Sequence, residues 1–267
     1  RQMCIRDRFD YNDATATWRM TDKLLPSDRT ANDRFGYNLA IDKDKIVVSL
    51  PLVNKAYVFE KVENIWTQTA RIIAPNSSVW AGVNLTNVCE FGFSLVLDVD
   101  TIYFGCPSGV NSSSTPVGVV LIYKKVSGNW VFNQSLLSPS NTVDRFAESI
   151  SYRNNLLAVG SPNSSLDVYG NNPQTSAGLV YLYERINPGS QYTLKTKIQS
   201  FNGQRNAGDH FGSGIAAYDN VVVVGAEGHD FDVTGELYTP NTGALYSWRL
   251  DSTEWFFEGK IPFERRA

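Results

Sequence analysis

The densest group of polar side chains lies near the C-terminus, where Glu227 is followed closely by His229, Asp230 and Asp232. Carboxylate and imidazole groups so close in sequence could bind a cation or a polar ligand. A solvated acidic loop would have the same composition, so both interpretations stay open. Aromatic residues outside any regular spacing could bind a ligand by stacking or apolar contact. They are Trp80, Tyr169, Phe231 and Tyr238.

Two pairs of aspartates could also bind a metal: Asp42 with Asp44, and Asp98 with Asp100. Calcium needs about six to eight oxygen ligands, usually from several carboxylates and carbonyls of one loop. Each pair offers only two carboxylates, with no glycine after it, in a turn too short to surround an ion. The sequence therefore predicts no metal and no cofactor, with calcium at these four residues as the alternative.

A catalytic constellation is not visible in the sequence. The chain has two histidines, and neither belongs to a serine or cysteine motif of the kind that activates a nucleophile. No glycine-rich phosphate loop follows a strand, and no histidine cluster has zinc spacing. We therefore predict that the protein is not an enzyme and that it has no catalytic residue.

The composition argues against nucleic-acid binding and against a membrane span. The net charge is −3, and charged residues make up 19% of the chain, without the basic surface that nucleic-acid binding requires. No apolar run approaches the ~18 residues of a membrane span. We expect no nucleic-acid partner and no membrane span in this segment.

The elements that position these residues form a unit that occurs four times. Each copy has a phenylalanine followed by a small residue, with an acidic residue close before it. Fourteen residues after the phenylalanine, an apolar run ends at a second small residue. The first landmarks are Phe35-Gly36, Phe91-Gly92, Phe146-Ala147 and Phe211-Gly212, and the second are Ser49, Gly105, Gly160 and Gly225.

Every copy continues with two further segments that read as strands. One is an alternating aromatic-rich segment, and the other has an aromatic and an aliphatic residue six positions apart. Such alternation, bounded by Gly, Pro, Asn and Asp, is typical of half-buried strands. Four short antiparallel strands, which we label A to D, recurring at intervals of about 55–65 residues, are typical of β-propeller blades. The regular phenylalanines are therefore predicted to pack between blades.

Two residues after the second landmark, three copies have a proline and the last has a glutamate: Pro51, Pro107, Pro162 and Glu227. The Phe-Gly and Gly-x-Pro landmarks resemble the FG-GAP repeat, the blade type of the integrin α-subunit propeller. The resemblance covers nearly the whole chain. It implies an all-β fold of four-stranded antiparallel blades, in a ring that usually has seven. It also implies an extracellular or cell-surface protein with a role in binding or adhesion. Integrin-like blades often bind calcium between strands A and B, and the short aspartate pairs depart from that pattern.

The repeat also predicts the organisation of the chain. We expect about four and a half blades in an open arc, an incomplete fragment whose partners would include the remaining blades of the same chain. Residues 1–8 fit no repeat and are interpreted as a translated sequencing-adapter fragment. The predicted half blade is 9–25, and the predicted blades are 33–72, 90–136, 144–198 and 209–261.

The lengths of the connections predict which face of the propeller binds. Strand A is joined to strand B at a constant spacing, whereas the connections from B to C and from D to the next A vary widely. The variable connections share one face of an up-and-down blade, and loops on a rigid scaffold concentrate binding residues. Loops on which nothing packs would vary in the same way.

We therefore predict a non-catalytic scaffold that binds a protein or a glycan through that face. The alternative is an accessory or catalytic propeller in a larger secreted carbohydrate-active or hydrolytic enzyme.

Two further features concern the cellular compartment. Cys89 and Cys106 lie toward the same end of one hairpin, so a disulfide and two free buried thiols are both open. Five Asn-x-Ser/Thr sequons are consistent with a secreted glycoprotein. They begin at Asn76, Asn84, Asn111, Asn133 and Asn163.

Overall fold

The computed structural model describes residues 6–261 apart from 76–88, 110–114, 141, 188, 202–203 and 233. Trp80 and the sequons at Asn76, Asn84 and Asn111 lie outside the described residues. The regular elements of the described chain are strands, with one 3-10 turn at Pro51–Val53. In this part of the chain, no helix is long and apolar enough to cross a membrane.

The strands form one two-stranded sheet and four four-stranded sheets, and every strand pairs antiparallel with its neighbour in sequence. The two-stranded sheet contains β1 (Arg6–Asn12) and β2 (Thr17–Leu24). Blade 1 contains β3 (Asn38–Asp42), β4 (Lys45–Leu50), β5 (Lys55–Val62) and β6 (Ile65–Ile73). Blade 2 contains β7 (Leu95–Asp98), β8 (Thr101–Cys106), β9 (Val119–Val126) and β10 (Asn129–Leu137).

Two further blades complete the described chain, and in each blade the four strands correspond to A to D. Blade 3 contains β11 (Ile150–Arg153), β12 (Leu156–Ser161), β13 (Leu179–Glu184) and β14 (Thr193–Ile198). Blade 4 contains β15 (Phe211–Tyr218), β16 (Val221–Ala226), β17 (Ala244–Asp251) and β18 (Glu254–Ile261). The sheets confirm the predicted all-β fold of four-stranded antiparallel propeller blades.

Strand β1 begins at Arg6, three residues before the predicted half blade. Arg8 Nη1 lies 3.0 Å from Asp22 Oδ2, and the Arg8 guanidinium lies 5.3 Å from the centre of the Trp66 ring in blade 1. The two-stranded sheet therefore packs on blade 1 with Arg8 as part of it. The interpretation of residues 1–8 as foreign to the protein stays a prediction.

The hydrophobic core lies between the blades. One cluster joins blades 1 and 2 and includes Val47 and Phe91. A second cluster joins blades 2 and 3 and includes Tyr103 and Phe146, and a third joins blades 3 and 4 around Phe211. Because the apolar face of one blade is covered by the next, no blade can bury its core alone. The repeated phenylalanines pack between blades, as predicted.

Strand A of each blade lies at the inner edge of the arc. Strand β3 contacts β7, β7 contacts β11, and β11 contacts β15. The residue three positions after the motif phenylalanine joins two neighbouring blades, because its side chain donates a hydrogen bond to a carbonyl in or next to the motif of the following blade. The donors and acceptors are Asn38 Nδ2 to Phe93 O (2.9 Å), Ser94 Oγ to Ala147 O (2.8 Å) and Ser149 Oγ to Gly212 O (2.6 Å).

The small residue near the end of strand B makes room for the next motif. A Cβ on Gly160 would lie 2.2 Å from the carbonyl oxygen of Gly212, far inside ordinary contact distance. Blade 1 has Ser49 at this position, and its Oγ donates to Gly92 O at 2.7 Å. On blade 4, a Cβ on Gly225 would meet nothing closer than 3.6 Å, because no described blade covers that face.

The outward face of blade 1 is uncovered at strand A, where the two-stranded sheet does not reach it. Leu39 and Ile41 are 50% and 62% exposed, whereas Leu95 and Leu97, their equivalents in blade 2, are 9% and 8% exposed. The blades therefore form an open arc and not a closed ring. That the arc belongs to a longer propeller stays a prediction.

Cys89 and Cys106 are both buried, and neither forms a disulfide. Burial raises the pKa of the Cys106 thiol well above its ordinary value, and the neighbouring Cys89 thiol raises it further. The sequence left open a disulfide or two free buried thiols, and in the structure both thiols are free and buried.

Candidate functional site

Three neighbouring connections of blades 3 and 4 form one surface, which we call the loop face. They are the B–C loop of blade 3 (162–178), the connection from blade 3 to blade 4 (199–210) and the B–C loop of blade 4 (227–243). Arg205 in the middle connection donates to Ser165 O at 2.6 Å and to Asn172 O at 2.9 Å. On its other side, Gln204 Oε1 accepts from Lys260 Nζ at 3.4 Å. The three connections thus support one another.

The two B–C loops share a sequence and a conformation. Residues 166–170 read Leu-Asp-Val-Tyr-Gly, and residues 231–235 read Phe-Asp-Val-Thr-Gly. The glycines that end these segments, Gly170 and Gly235, have φ angles of +83° and +80°, which a residue with a side chain rarely adopts. This second repeat was not recognised from the sequence. Its signal was the recurrence of Asp-Val-x-Gly at the same distance after strand B.

In blade 3, the aspartate of this segment holds its own loop together. Asp167 Oδ1 accepts from the backbone N–H groups of Asn171 (2.8 Å) and Tyr169 (2.9 Å), and Asp167 Oδ2 accepts from Asn172 Nδ2 (2.7 Å). These donors hold the pKa of Asp167 below its ordinary value, the backbone of Asn171 most strongly. The carboxylate is engaged inside the loop.

Asp232 does the same in blade 4. Its Oδ1 accepts from Thr234 Oγ1 (2.8 Å) and from the backbone N–H groups of Gly235 (2.8 Å) and Glu236 (3.1 Å). The hydroxyl of Thr234 is the main reason that the pKa of Asp232 is lowered. This predicted ligand-binding residue therefore stabilises the turn that contains it.

His229 is fully buried beneath the blade 4 loop. Its Nε2 lies 2.8 Å from Lys260 Nζ, and its Nδ1 lies 3.0 Å from Asp209 Oδ1. Because an ammonium group only donates, Nε2 accepts and Nδ1 carries the proton that is donated to Asp209. Lys260 Nζ also donates to the carbonyls of Phe231 (2.7 Å) and Asp232 (2.5 Å). Burial lowers the pKa of Lys260.

This network ties the loop to strand β18 and to the acidic residue of the motif. The predicted binding candidate His229 therefore anchors the framework, and its side chain presents no surface to a ligand. The motif aspartate, Asp209, is 1% exposed, which places it in the same framework.

The remaining candidates divide between the interior of the loop and its surface. Asp230 Oδ1 accepts from Asn241 N at 2.7 Å, and the Phe231 ring packs against Tyr238 with centroids 5.4 Å apart. Glu227 is exposed, with Oε1 3.5 Å from the ring nitrogen of His210. Asp230 thus closes the loop, and Phe231 supports Tyr238 from behind.

The exposed members of the loop face are mostly apolar or aromatic. Tyr169 and Tyr238 are 84% and 59% exposed, and the neighbouring Leu166 and Leu237 are 36% and 64% exposed. The two leucines were not predicted from the sequence. They lie beside the repeated aspartates, and only the conformation of the loops shows that both leucines are exposed on this face.

The four aspartates considered for calcium lie in the A–B turns. In the described chain, no group of three or more His, Cys, Asp or Glu residues could hold a metal ion. Asp42 Oδ2 accepts from Val99 N at 2.8 Å, and Lys45 Nζ lies 3.1 Å from Asp100 Oδ1. These contacts join the turns of blades 1 and 2. The absence of a metal and of a cofactor stays a prediction, with calcium at these four aspartates as the alternative.

Comparison with known proteins identifies the repeat. Residues 18–59 and 203–246 match the family described as the FG-GAP repeat, so one match lies near each end of the arc. No curated protein matches the chain. Among solved structures, it is similar to Sqt1 of Saccharomyces cerevisiae, with 10% identity and a TM-score of 0.43 over 86% of this chain and 48% of that one. The chain thus spans about half the length of that protein.

Proposed function

We propose that this propeller of FG-GAP repeats is a non-catalytic extracellular scaffold that binds a partner protein through its loop face. One observation carries the proposal: two loops that are held rigid by their own hydrogen bonds present exposed apolar and aromatic side chains on the same face. The side chains are Leu166, Tyr169, Leu237 and Tyr238.

The rigidity of the loops favours binding. Association orders side chains and loops at a cost of about 0.5–1.5 kcal/mol for each immobilised side chain, and a loop that is already ordered avoids part of it. Asp167 and Asp232 fix the backbone on which Tyr169 and Tyr238 stand. Tyrosine is enriched among the residues that dominate protein interfaces, because it combines a large apolar area with a polar end.

The chemistry of the loop face favours a protein over a glycan. Two leucines accompany the two tyrosines, and aliphatic side chains offer nothing to the hydroxyl groups of a sugar. The repeated aspartates, which could have accepted hydrogen bonds from hydroxyls, are engaged with their own loops. An apolar centre with a polar rim is the usual anatomy of a protein interface.

An exposed sequon supports the extracellular assignment. Asn133 lies at the irregularity in the pairing of β10 with β9, between Phe132 and Gln134, and it is exposed. An Asn-x-Ser/Thr sequence is an acceptor for N-linked glycans in secreted proteins when it is accessible. The family resemblance supports the same compartment.

Site-specific photo-crosslinking tests the proposal. A photoreactive phenylalanine analogue at position 169 or 238 is expected to crosslink one discrete partner from cell-surface proteins. The matched control is position 186, because Ile186 is 90% exposed and lies in the C–D turn of blade 3, on the opposite face. The double variant L166S/L237S should reduce the crosslink at position 169.

Equal crosslinking from position 186, or none from the loop face, would contradict the proposal. Glycan-array binding that is lost in Tyr169→Ser and Tyr238→Ser would replace the protein partner with a glycan.

A further inference from the structure

A polar cavity of about 530 Å³ lies at the inner edge of blades 1 to 3. It is at the end where strand A turns into strand B, opposite the loop face. Its lining includes the last residue of strand A from each of these blades: Asp42 from β3, Asp98 from β7 and Arg153 from β11. Its volume is in the range of small-molecule sites, about 300–1,000 Å³.

The three residues occupy one position of the repeat, seven residues after the motif phenylalanine. The backbone of three successive blades is therefore alike there, but the charge changes sign. Blades 1 and 2 supply carboxylates, and blade 3 supplies a guanidinium group. The cavity thus has an acidic side and a basic side.

A second guanidinium group on the basic side is held rigidly. Arg185 lines the cavity and is 9% exposed. Its Nε donates to Asn155 Oδ1 at 2.9 Å and its Nη2 to Tyr152 Oη at 2.9 Å. The guanidinium lies 5.6 Å from the centre of the Tyr152 ring and 5.2 Å from that of Tyr192. Tyr103 stacks on Tyr152 with centroids 4.9 Å apart, so the half-buried Tyr152 is itself supported by a buried ring.

The two carboxylates of the acidic side repel each other, and the positive charges that act on Asp98 are those of Arg185, Arg153 and Lys43. Burial raises the pKa of Asp98, and the nearby Asp42 carboxylate raises it further, while the charges of Arg185 and Arg153 oppose this. A positive group placed between the two carboxylates would relieve their repulsion. Two carboxylates and two guanidinium groups line one cavity, and Arg153 Nε also lies 3.7 Å from Asp219 Oδ1. A lining with both signs is complementary to a ligand that carries both signs.

We propose that this cavity binds a small zwitterion of amino-acid size, with its ammonium group toward Asp42 and Asp98 and its carboxylate toward Arg153 and Arg185. A simple anion would face the two aspartates, and a simple cation would face the two arginines. A sugar would find little surface to stack on, because Tyr103 already stacks on the one aromatic ring of the lining, that of Tyr152. The site is independent of the loop face.

The first test uses the unaltered protein and L-glutamine as the probe. Glutamine has both charges and a polar side chain that matches the polar lining. Calorimetric titration is expected to show saturable binding with a Kd below about 1 mM, and the Tm should rise with glutamine concentration. N-acetyl-L-glutamine lacks the ammonium group and L-glutaminamide lacks the carboxylate, so both should bind at least about 10-fold more weakly, a loss of about 1.4 kcal/mol.

The second test uses variants with a matched control. Asp98→Asn and Arg153→Gln should each weaken glutamine binding by about 10-fold or more, with the Tm in the absence of glutamine reporting any loss of folding. Arg249→Gln is the control, because Arg249 and Arg153 have side chains that are 48% and 47% exposed, each beside one carboxylate. The Arg249→Gln variant should bind glutamine as tightly as the unaltered protein.

The proposal is overturned if glutamine shows no saturable binding, if either analogue binds as tightly as glutamine, or if Arg249→Gln weakens binding as much as Arg153→Gln.

Discussion

Replacing Gly160 with alanine tests the way in which the blades are joined. The new Cβ would lie 2.2 Å from the carbonyl oxygen of Gly212 and 2.3 Å from Ser149 Oγ. Ordinary contacts begin near 3.4 Å, so the motif backbone of blade 4 would have to retreat by about 1.2 Å. A carbonyl oxygen in a strand cannot rotate away as a flexible side chain would. The whole interface between blades 3 and 4 must therefore adjust.

The cost follows from two contributions. Overpacking of a close-packed interface costs typically about 1–3 kcal/mol. The hydrogen bond from Ser149 Oγ to Gly212 O, now 2.6 Å, would be lost at a further cost of about 1 kcal/mol. We expect Gly160→Ala to lower the free energy of unfolding by about 2–4 kcal/mol, which corresponds to a decrease of roughly 5–15 °C in Tm for a protein of this size.

Gly225→Ala is the matched control, at the equivalent position of blade 4. Its Cβ would meet nothing closer than 3.6 Å, so the free energy of unfolding should stay the same or increase by up to ~1 kcal/mol through the reduced freedom of the unfolded chain. Urea denaturation of both variants measures the difference. If the two variants differ by less than about 0.5 kcal/mol, the close approach of the blades is not what selects glycine.

Three further predictions concern buried groups. Burial raises the pKa of Asp144 from 3.8 to about 6, so the native state binds more protons between these values. The free energy of unfolding should therefore fall by about 2 kcal/mol as the pH rises from 4 to 6. Denaturant titrations should show that Asp144→Asn loses this slope. Lys260→Met removes the donor to a buried imidazole and two carbonyls. It should lower the free energy of unfolding by about 2–4 kcal/mol and make residues 227–243 sensitive to limited proteolysis. The control is Lys197→Met, at the same strand position in blade 3, which should leave these residues protected. Cys89 and Cys106 should not react with a thiol reagent at pH 8 until the protein is unfolded, because both are buried and the pKa of Cys106 is raised. Reaction of these thiols in the native protein would contradict their burial.

The architecture could be predicted from the sequence because each blade has the same two packing requirements. A phenylalanine must be buried by the neighbouring blade, and a small residue must admit the next motif, as Phe146 and Gly160 show. The residues that meet these requirements recur at fixed spacing in four copies, so each copy adds evidence for the repeat. The sequence could not show that Ser149 and Ser94 donate across the blade interface, because serine occurs equally often at exposed positions.

The candidate site is less predictable, because polarity alone does not separate a residue that binds a ligand from one that stabilises its own loop. His229, Asp230 and Asp232 form the densest polar cluster of the chain, and the structure places all three in the support of their own loop. A buried polar group needs partners, so a polar cluster in a long loop satisfies its own backbone first. Leu166 and Leu237 had no sequence signal, since an exposed leucine is common and only its neighbours on a rigid loop make it informative.

The cavity shows why connection length is an incomplete guide to function. The A–B turns have a constant length, which directed the prediction of binding toward the opposite face. A constant length fixes the position of the backbone, and it leaves the side chain at each equivalent position free to differ. Asp42, Asp98 and Arg153 stand at one such position, so the regularity of the repeat is what brings unlike charges to one cavity. In a propeller, conserved geometry and varied chemistry at the inner edge can therefore build a site where the connections do not vary at all.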